Sequence, residues 1–252
     1  MNSSPRPARS LAPREHGAYG QLALPLLAAL ASARPGLAAF ALAAGAGLAF
    51  AAHEPLLVVL GARGPKARRE VGARAGRLLV LELTGALGCA VLGLARASAD
   101  VWRAAGVACV LAVIVGALVA RSLEKTAPGE VLAGTALASA SVPVALSAGL
   151  SLRAAWSSLA VWAIAFAAAT FAVRGAIAHF KRPRPAFARV APVLVVTTLL
   201  GAAALTRLLS PLFLAAPLPI MGLALWLSLR PPHPSQLRAI GWRLVAATVA
   251  TG

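Results

Sequence analysis

Charged side chains are scarce in this chain. Only 12% of its 252 residues are Asp, Glu, Lys or Arg, whereas 60% are hydrophobic and the mean hydropathy is +0.81. That charged share is about half of what soluble globular domains carry. A soluble core this apolar would leave too little polar surface to stay dispersed. The composition excludes a soluble enzyme, a disordered regulator and a disulfide scaffold, and it predicts a polytopic membrane protein.

Cysteines and acidic clusters are also lacking. The two cysteines, Cys89 and Cys109, lie inside apolar runs and form no CxxC pair, so neither a metal site nor a structural disulfide is predicted. The sequence contains no GxxxxGK[ST] loop, no HExxH and no Asp-rich cluster of the kind that holds Mg²⁺ on a diphosphate. It therefore predicts no metal and no cofactor.

Long apolar runs are what the chain has in abundance. A helix needs about 20 mostly apolar residues to cross the hydrocarbon core. Runs between charged, Pro or Gly breaks predict an all-α transmembrane bundle of about nine spans. The predicted spans are 18–33, 37–60, 78–95, 102–120, 131–149, 154–178, 190–209, 211–229 and 238–252. The first is short, and Arg243 interrupts the last.

The positive charge is distributed unevenly between alternate segments. The net charge of +17 comes from 24 Lys and Arg against 7 Asp and Glu. Nineteen of the 24 lie in the amino-terminal tail and in every second segment after it, and five lie in the others. The positive-inside rule then predicts a bacterial inner-membrane protein with a cytoplasmic amino terminus. Basic residues placed between apolar runs predict the lipid bilayer as partner, and no nucleic acid.

The domain organisation follows from the same layout. We expect a basic cytoplasmic tail at 1–17 and a single transmembrane domain at 18–252, because no linker of domain size interrupts the spans. Signal-peptide cleavage after Ala31-Ser32-Ala33 is the alternative. Pro25 and the Glu15-His16 pair argue against cleavage.

The ionisable residues near the spans cluster at the predicted cytoplasmic boundary. Six of the seven acids lie there, as do His16, His53 and His179. Ionisable groups at membrane depth are costly and mark functional sites. The sequence therefore places a candidate polar site at the inner leaflet.

Glu82 is the most informative of these residues, since it lies four residues into the third predicted span. One interpretation pairs it with Arg74 or Arg77, which would neutralise a buried carboxylate. The other makes it a ligand or proton site that lines a cavity. The sequence leaves both open.

Three further residues have two interpretations each. Arg174 ends an aromatic stripe of the sixth span, and it either snorkels to the interface or binds an anionic head group. Glu54 is either solvated at a kink caused by Pro55 or lies one turn inside the membrane. Glu124 forms a boundary salt bridge with Arg121, one turn away, or takes part in binding.

The candidate site residues fall into two groups. Those that suit proton transfer, as catalytic candidates, are His16, Glu54 and Glu82. Those that suit binding are Tyr19, His53, Lys66, Arg68, Glu124, Arg174, His179 and Lys181.

One segment resembles a known family signature. The string Pro13-Arg14-Glu15-His16-Gly17-Ala18-Tyr19-Gly20-Gln21, which enters Leu24-Pro25-Leu26, is similar to the opening of the YwiC-like family of bacterial multi-pass membrane proteins. The resemblance extends over most of the chain as a pattern, through 51–69, the Glu124 loop and the Val173-Arg174 region. It implies a multi-pass membrane protein of unassigned activity.

That family in turn resembles UbiA-type intramembrane prenyltransferases in architecture. The resemblance implies about nine helices around a cavity, with cytoplasmic catalytic loops after the second and sixth. In place of the Asp-rich motifs of those enzymes, this chain has His53-Glu54-Pro55 and Arg174-Gly175-Ala176. The resemblance therefore implies neither prenyl-transfer activity nor Mg²⁺ binding for this chain.

Three functions stay open at this point. The first is a protein that binds or processes an isoprenoid or lipid in a cytoplasm-facing cavity, where cations meet an anionic head group without a metal. The second is a small-solute transporter that uses Glu54 and Glu82. The third is a non-catalytic membrane partner or assembly factor.

Overall fold

Apolar helices of uneven length make up the structure, a computed structural model of the chain. It describes residues 11, 16–182, 185–205, 213, 215–231, 233, 236, 243–244 and 246–247. The helices are α1 (His16–Ala31), α2 (Leu37–Ala51), α3 (His53–Val59), α4 (Pro65–Leu94), α5 (Ala99–Ala120), α6 (Ala127–Ser139), α7 (Ser141–Ser147), α8 (Leu152–Lys181), α9 (Ala186–Leu205) and α10 (Leu218–Leu229). No strand occurs in these ranges. The predicted all-α class is confirmed.

Five helical segments are long and apolar enough to cross a membrane. They are Leu37–Val59, Pro65–Leu94, Ala99–Ala120, Ala127–Ser147 and Leu152–Lys181. Each contains most or all of a predicted span. The shorter apolar helices Gly17–Ala31, Ala186–Leu199 and Leu218–Leu229 overlap three further predicted spans. The ninth, 238–252, lies almost wholly outside the described residues and stays a prediction.

Two of the long segments are interrupted in the same way. The first breaks at Ala52, between α2 and α3, and the other breaks at Ala140, between α6 and α7. In each case a proline, Pro55 or Pro143, follows the break by three residues. Because proline has no N–H, it cannot bond the carbonyl four residues earlier, and the helix loses its regular path there.

Local signals set where several helices begin. Thr126 caps α6, with its hydroxyl accepting a 3.2 Å hydrogen bond from the Gly129 N–H, and Ser151 caps α8 in the same manner through Ala154. Pro65 occupies the first turn of α4, where its missing N–H costs no helical bond. Helix α4 begins well before the predicted span at 78–95. Its Lys and Arg residues end a hydrophobic run but are good helix formers.

The core is centred on α8. Its first half packs with α1, α2 and α5 to α7 in one buried cluster, in which the Trp162 and Phe166 rings stack with centroids 5.7 Å apart. Its second half packs with α9 and α10 around Ala168, Ala172 and Leu227. Helices α4 and α5 lie at the periphery, and only 6% of the 18-residue apolar stretch of each is buried. Their exposed apolar side chains suit a lipid bilayer environment.

Glycines let α2 and α4 approach closely. A Cβ added at Gly45 would lie 3.2 Å from the Cβ of Cys89, and one at Gly93 would lie 2.6 Å from the Cγ of Leu42. Helices in lipid associate through such close packing, since lipid tails are as apolar as leucine. The two helices run antiparallel, with Leu48 opposite Gly85 and Leu42 opposite Gly93.

Candidate functional site

Glu54 forms a closed ion pair at the α3–α4 turn. Its side chain is 1% exposed, and Arg63 donates to both oxygens, from Nε to Oε1 at 3.0 Å and from Nη2 to Oε2 at 2.5 Å. Gly61 and Gly64 have φ of +79° and +86°, and this left-handed backbone returns the chain so that Arg63 reaches Glu54. The interpretation of a solvated Glu54 is therefore wrong. The pair is bidentate, which is the strongest geometry for two such groups.

Four other predicted site residues lie around the α3–α4 turn, which we call the α3–α4 corner. His53 is half-buried at the start of α3, and Lys66 and Arg68 are exposed on the first turns of α4. Tyr19 packs edge-on against Phe50, with ring centroids 5.1 Å apart, which places it beside the end of α2.

Leu11 covers one side of this corner. It is buried in a small cluster with Val58 of α3 and Ala75 of α4. The side chain of His16 lies outside the described part of the structure, so its candidate role stays a prediction.

Glu82 is half-buried on α4 and forms none of the described ion pairs. Its Oε2 atom is buried and has no hydrogen-bond partner. The ion pairs within the described residues join Arg63 to Glu54, Arg103 to Asp100 and Arg174 to Glu130. The interpretation that pairs Glu82 with Arg74 or Arg77 is therefore wrong.

Arg174 links α8 to the start of α6 through an ion pair and a hydrogen bond. Its Nη1 lies 2.8 Å from Oε1 of Glu130 and donates a 2.9 Å hydrogen bond to the carbonyl of Lys125. Glu130 lies in the first turn of α6, where a carboxylate is also favoured by the helix dipole. Sequence reasoning gave Arg174 no such partner, because Glu130 lies 44 positions earlier in the chain.

Glu124 lies in the turn before α6 and does not form the predicted salt bridge with Arg121. Arg121 is exposed, and Oε2 of Glu124 is buried with no hydrogen-bond partner. Helix α5 ends at Ala120, and Ser122 takes a left-handed φ of 57°. The one-turn spacing that the prediction required is therefore lost between the two residues.

A group of basic side chains gathers where α8 ends, α9 begins and α10 ends. We call it the α8–α10 basic cluster, and its members are His179, Lys181, Arg182, Arg189 and Arg230. Arg189 is 8% exposed and donates to the carbonyls of Ser228 at 2.9 Å and Leu229 at 3.4 Å. These carbonyls carry the negative end of the α10 dipole.

His179 belongs to the same cluster through Arg189. Nη1 of Arg189 lies 3.1 Å from Nδ1 of His179. Because a guanidinium only donates, Nδ1 accepts this bond and the ring proton lies on Nε2. The rings of Phe180 and His233 pack edge-on beside it, with centroids 5.7 Å apart.

The structure thus distributes the predicted residues over separate places. His53 and Glu54 share the α3–α4 corner, Glu124 and Arg174 lie near the start of α6, and His179 and Lys181 belong to the α8–α10 basic cluster. Within the described residues, no hydrogen bond or ion pair is seen that joins Glu54, Glu82 and Arg174 to one another. A shallow groove of about 380 Å³ on the outer side of α9 is lined by apolar residues and Thr198, and holds none of these groups.

Sequence reasoning missed Arg63, Glu130 and Arg189 as partners. A signal existed for Arg63, because glycines two residues before it and directly after it mark a reversing turn close to Glu54. A signal also existed for the cluster that contains Arg189. The chain has no Asp or Glu after Glu130, yet it has ten Lys and Arg residues there.

Comparisons with known proteins give one match. A search of curated proteins and a search of solved structures found nothing similar to the chain. The architectural similarity to UbiA-type enzymes therefore stays a prediction. The model of the family described as YwiC-like protein matches residues 12–146, more than half of the chain. The match covers the signature at 13–21, α2 to α6 and nearly all of α7. This chain is a membrane protein that belongs to the YwiC-like family.

Proposed function

We propose that this protein binds an anionic lipid or isoprenoid at the cytoplasmic face of the bacterial inner membrane, with its amino terminus inside. The observation that carries the proposal is the α8–α10 basic cluster, which lies in a part of the chain without acids. All ten Lys and Arg residues after Glu130 lack an Asp or Glu within that part. An Asp or Glu side chain that pairs with them must belong to an earlier part of the chain, and a lipid head group is another source of negative charge.

Within the described residues, one ion pair joins an acid of an earlier helix to this part of the chain. Glu130 pairs with Arg174, and Glu54 is occupied by Arg63. The α10 carbonyls offset part of the charge on Arg189, as a helix end carries about half an elementary charge. Lys181, Arg182 and Arg230 are exposed at the same end of the bundle. A phosphate group held among these cations would gain charge-assisted hydrogen bonds.

The orientation of the helices supports an inner-leaflet ligand. The cluster, the α3–α4 turn and the α5–α6 turn all lie at the end of the bundle where α1 begins, provided that each long segment crosses the membrane once. That end carries most of the positive charge, as cytoplasmic segments do. Anionic lipids of the cytoplasmic leaflet attract juxtamembrane cations.

Catalysis is not part of this proposal. Glu54 is held by Arg63, so a role in proton transfer would first require that pair to open. The roles of His16, Glu54 and Glu82 as catalytic candidates stay predictions.

Native mass spectrometry of the detergent-purified protein tests lipid binding. The probes are phosphatidylglycerol, phosphatidylcholine and farnesyl monophosphate, added separately. The variant Lys181→Ala/Arg182→Ala removes two cations of the cluster. The control Arg34→Ala/Arg96→Ala removes two exposed cations from the opposite end.

We expect the wild type and the control to prefer the anionic probes. The cluster variant should bind them roughly 30-fold more weakly, since a cation near such a surface contributes about 1 kcal/mol. Farnesyl monophosphate outcompeting phosphatidylglycerol would favour an isoprenoid ligand, and the reverse would favour a phospholipid. Equal binding by the cluster variant and the control would contradict the proposal.

A non-catalytic membrane partner is the second candidate function. The contacts of Arg63 and Arg174 favour this function, because each side chain joins two segments of the chain and so stabilises the fold. If no anionic probe is retained but one protein co-purifies in a fixed ratio with the wild type, this second function replaces the first.

A further inference from the structure

Glu82 lies on the face of α4 that packs against α2. Gly85 and Cys89, one and two turns further along, face Leu48 and Gly45. Continuing this antiparallel register by one turn brings Glu82 opposite the end of α2, near the buried Ala52. The carboxyl group therefore lies at a helix interface inside an apolar span.

Among the described residues of the surrounding helices, none forms a pair with this carboxyl. Its Oε2 atom is buried and has no partner. Helix α2 contains no titratable side chain, and α3 contributes only His53 and Glu54. Glu54 is engaged by Arg63, and no hydrogen bond joins His53 to Glu82 among the described contacts.

Helix α4 itself offers no counter-charge at this depth. Arg74 and Arg77 are exposed and form none of the described ion pairs. Arg77, the nearer of the two, lies five residues earlier, which is about 7–8 Å along a helix axis. An ionised carboxylate with a buried, unpaired oxygen in apolar surroundings is strongly disfavoured.

We propose that Glu82 is a proton-binding site, occupied by a proton at neutral pH and reached from the cytoplasmic end of α4. The proton converts the carboxylate into a neutral acid that the α2–α4 interface accommodates. A metal ion is a poorer ligand for this position. Among the described residues, no group of three or more His, Cys, Asp or Glu side chains lies together.

Removal of the proton would place a negative charge between two tightly packed helices. Gly45, Gly85 and Gly93 hold α2 and α4 close together, so the interface has little room for the water that would solvate that charge. Proton binding at Glu82 is therefore coupled to the closeness of α2 and α4. This inference is independent of lipid binding at the α8–α10 basic cluster.

Infrared difference spectroscopy tests the proposal directly. The wild type in lipid bilayers at neutral pH is compared with Glu82→Gln and with Glu70→Gln, which changes an exposed carboxylate on the same helix. We expect a protonated-carboxyl C=O band in the wild type that shifts in deuterated water. That band should be lost in Glu82→Gln and kept in Glu70→Gln. A spectrum unchanged by Glu82→Gln, apart from the amide itself, would overturn the proposal.

Thermal unfolding provides a second reading that does not depend on the band assignment. Glutamine has the shape of a protonated glutamic acid, so Glu82→Gln should unfold within a few degrees of the wild type. A large loss of stability in Glu82→Gln, absent in Glu70→Gln, would mean that the charged carboxylate is needed, and the proposal would be wrong.

Discussion

Arg63 and Arg189 lie at the same end of the bundle, but different groups receive their hydrogen bonds. Arg63 binds a carboxylate nine residues earlier in a pair that is neutral as a whole. In the contacts described, Arg189 binds two backbone carbonyls and a histidine ring, and none of these is a carboxylate. We call the first arrangement closed, because two opposite charges meet within the chain, and the second open, because its described partners carry no full negative charge. The two sites therefore differ in the groups that each guanidinium contacts.

The largest expected effect comes from opening the closed pair. Arg63→Ala leaves the Glu54 carboxylate buried without a partner, and we expect a loss of roughly 3–5 kcal/mol in the free energy of unfolding. Thermal unfolding in detergent measures it. The double variant Glu54→Gln/Arg63→Ala removes the unpaired charge and should recover a large part of that loss. Equal destabilisation by both variants would show that charge pairing is not what the arginine provides.

The next effect concerns the open arrangement. Arg189→Ala removes the hydrogen bonds to Ser228 and Leu229, and we expect a loss of about 2 kcal/mol, a typical value for bonds from a charged donor. The variant should also lose the increase in melting temperature that phosphatidylglycerol gives the wild type. Arg230→Ala is the matched control, because its exposed side chain should affect lipid stabilisation but not intrinsic stability. If phosphatidylglycerol raises the melting temperature of Arg189→Ala as much as that of the wild type, Arg189 does not belong to the proposed site.

A change of salt concentration should also distinguish the two sites, although the expected effect is smaller. The screening length is about 10 Å at 0.1 M salt and about 3 Å at 1 M, so exposed charges are screened and buried pairs much less. Stabilisation by phosphatidylglycerol should fall by about 1 kcal/mol or more between these conditions. The destabilisation caused by Arg63→Ala should hardly change. Loss of both effects in parallel would mean that the two sites do not differ in exposure to solvent.

The smallest effect is expected at the exposed pair of Arg103 and Asp100. Its side chains are 75% and 43% exposed, and such pairs contribute about 0.2–1 kcal/mol. Arg103→Ala should therefore change the melting temperature by no more than a few degrees. A change as large as that of Arg63→Ala would contradict the view that burial decides the strength of these pairs.

The fold class could be predicted from the sequence because hydropathy acts over whole segments. The apolar runs at 37–60, 102–120 and 154–178 each correspond to helical segments long enough to span a membrane. The start of α4 was missed, since a basic stretch resembles a loop in hydropathy although it readily forms a helix. Helix ends depend on capping and turns, and hydropathy does not report these.

The partners of the site residues were harder to predict. Spacing along one helix suggested Arg74 or Arg77 for Glu82 and Arg121 for Glu124, and both expectations failed. The partners observed for Glu54 and Arg174 depend on the left-handed glycines of a turn and on the packing of α8 against α6. Such three-dimensional relations leave little trace in a single sequence.

The length of α4 has a consequence for the membrane itself. From Leu78 to Leu94 the helix is apolar except for Glu82 and Thr84, and this stretch of residues 78–94 measures about 26 Å at 1.5 Å per residue. A typical hydrocarbon core is about 30 Å thick. Tilting would shorten the span further, so an upright α4 fits such a core best, with the aliphatic stems of Arg74 and Arg77 covering the remaining depth. This helix therefore suits a thin bilayer, and membrane thickness bears directly on how deep Glu82 lies.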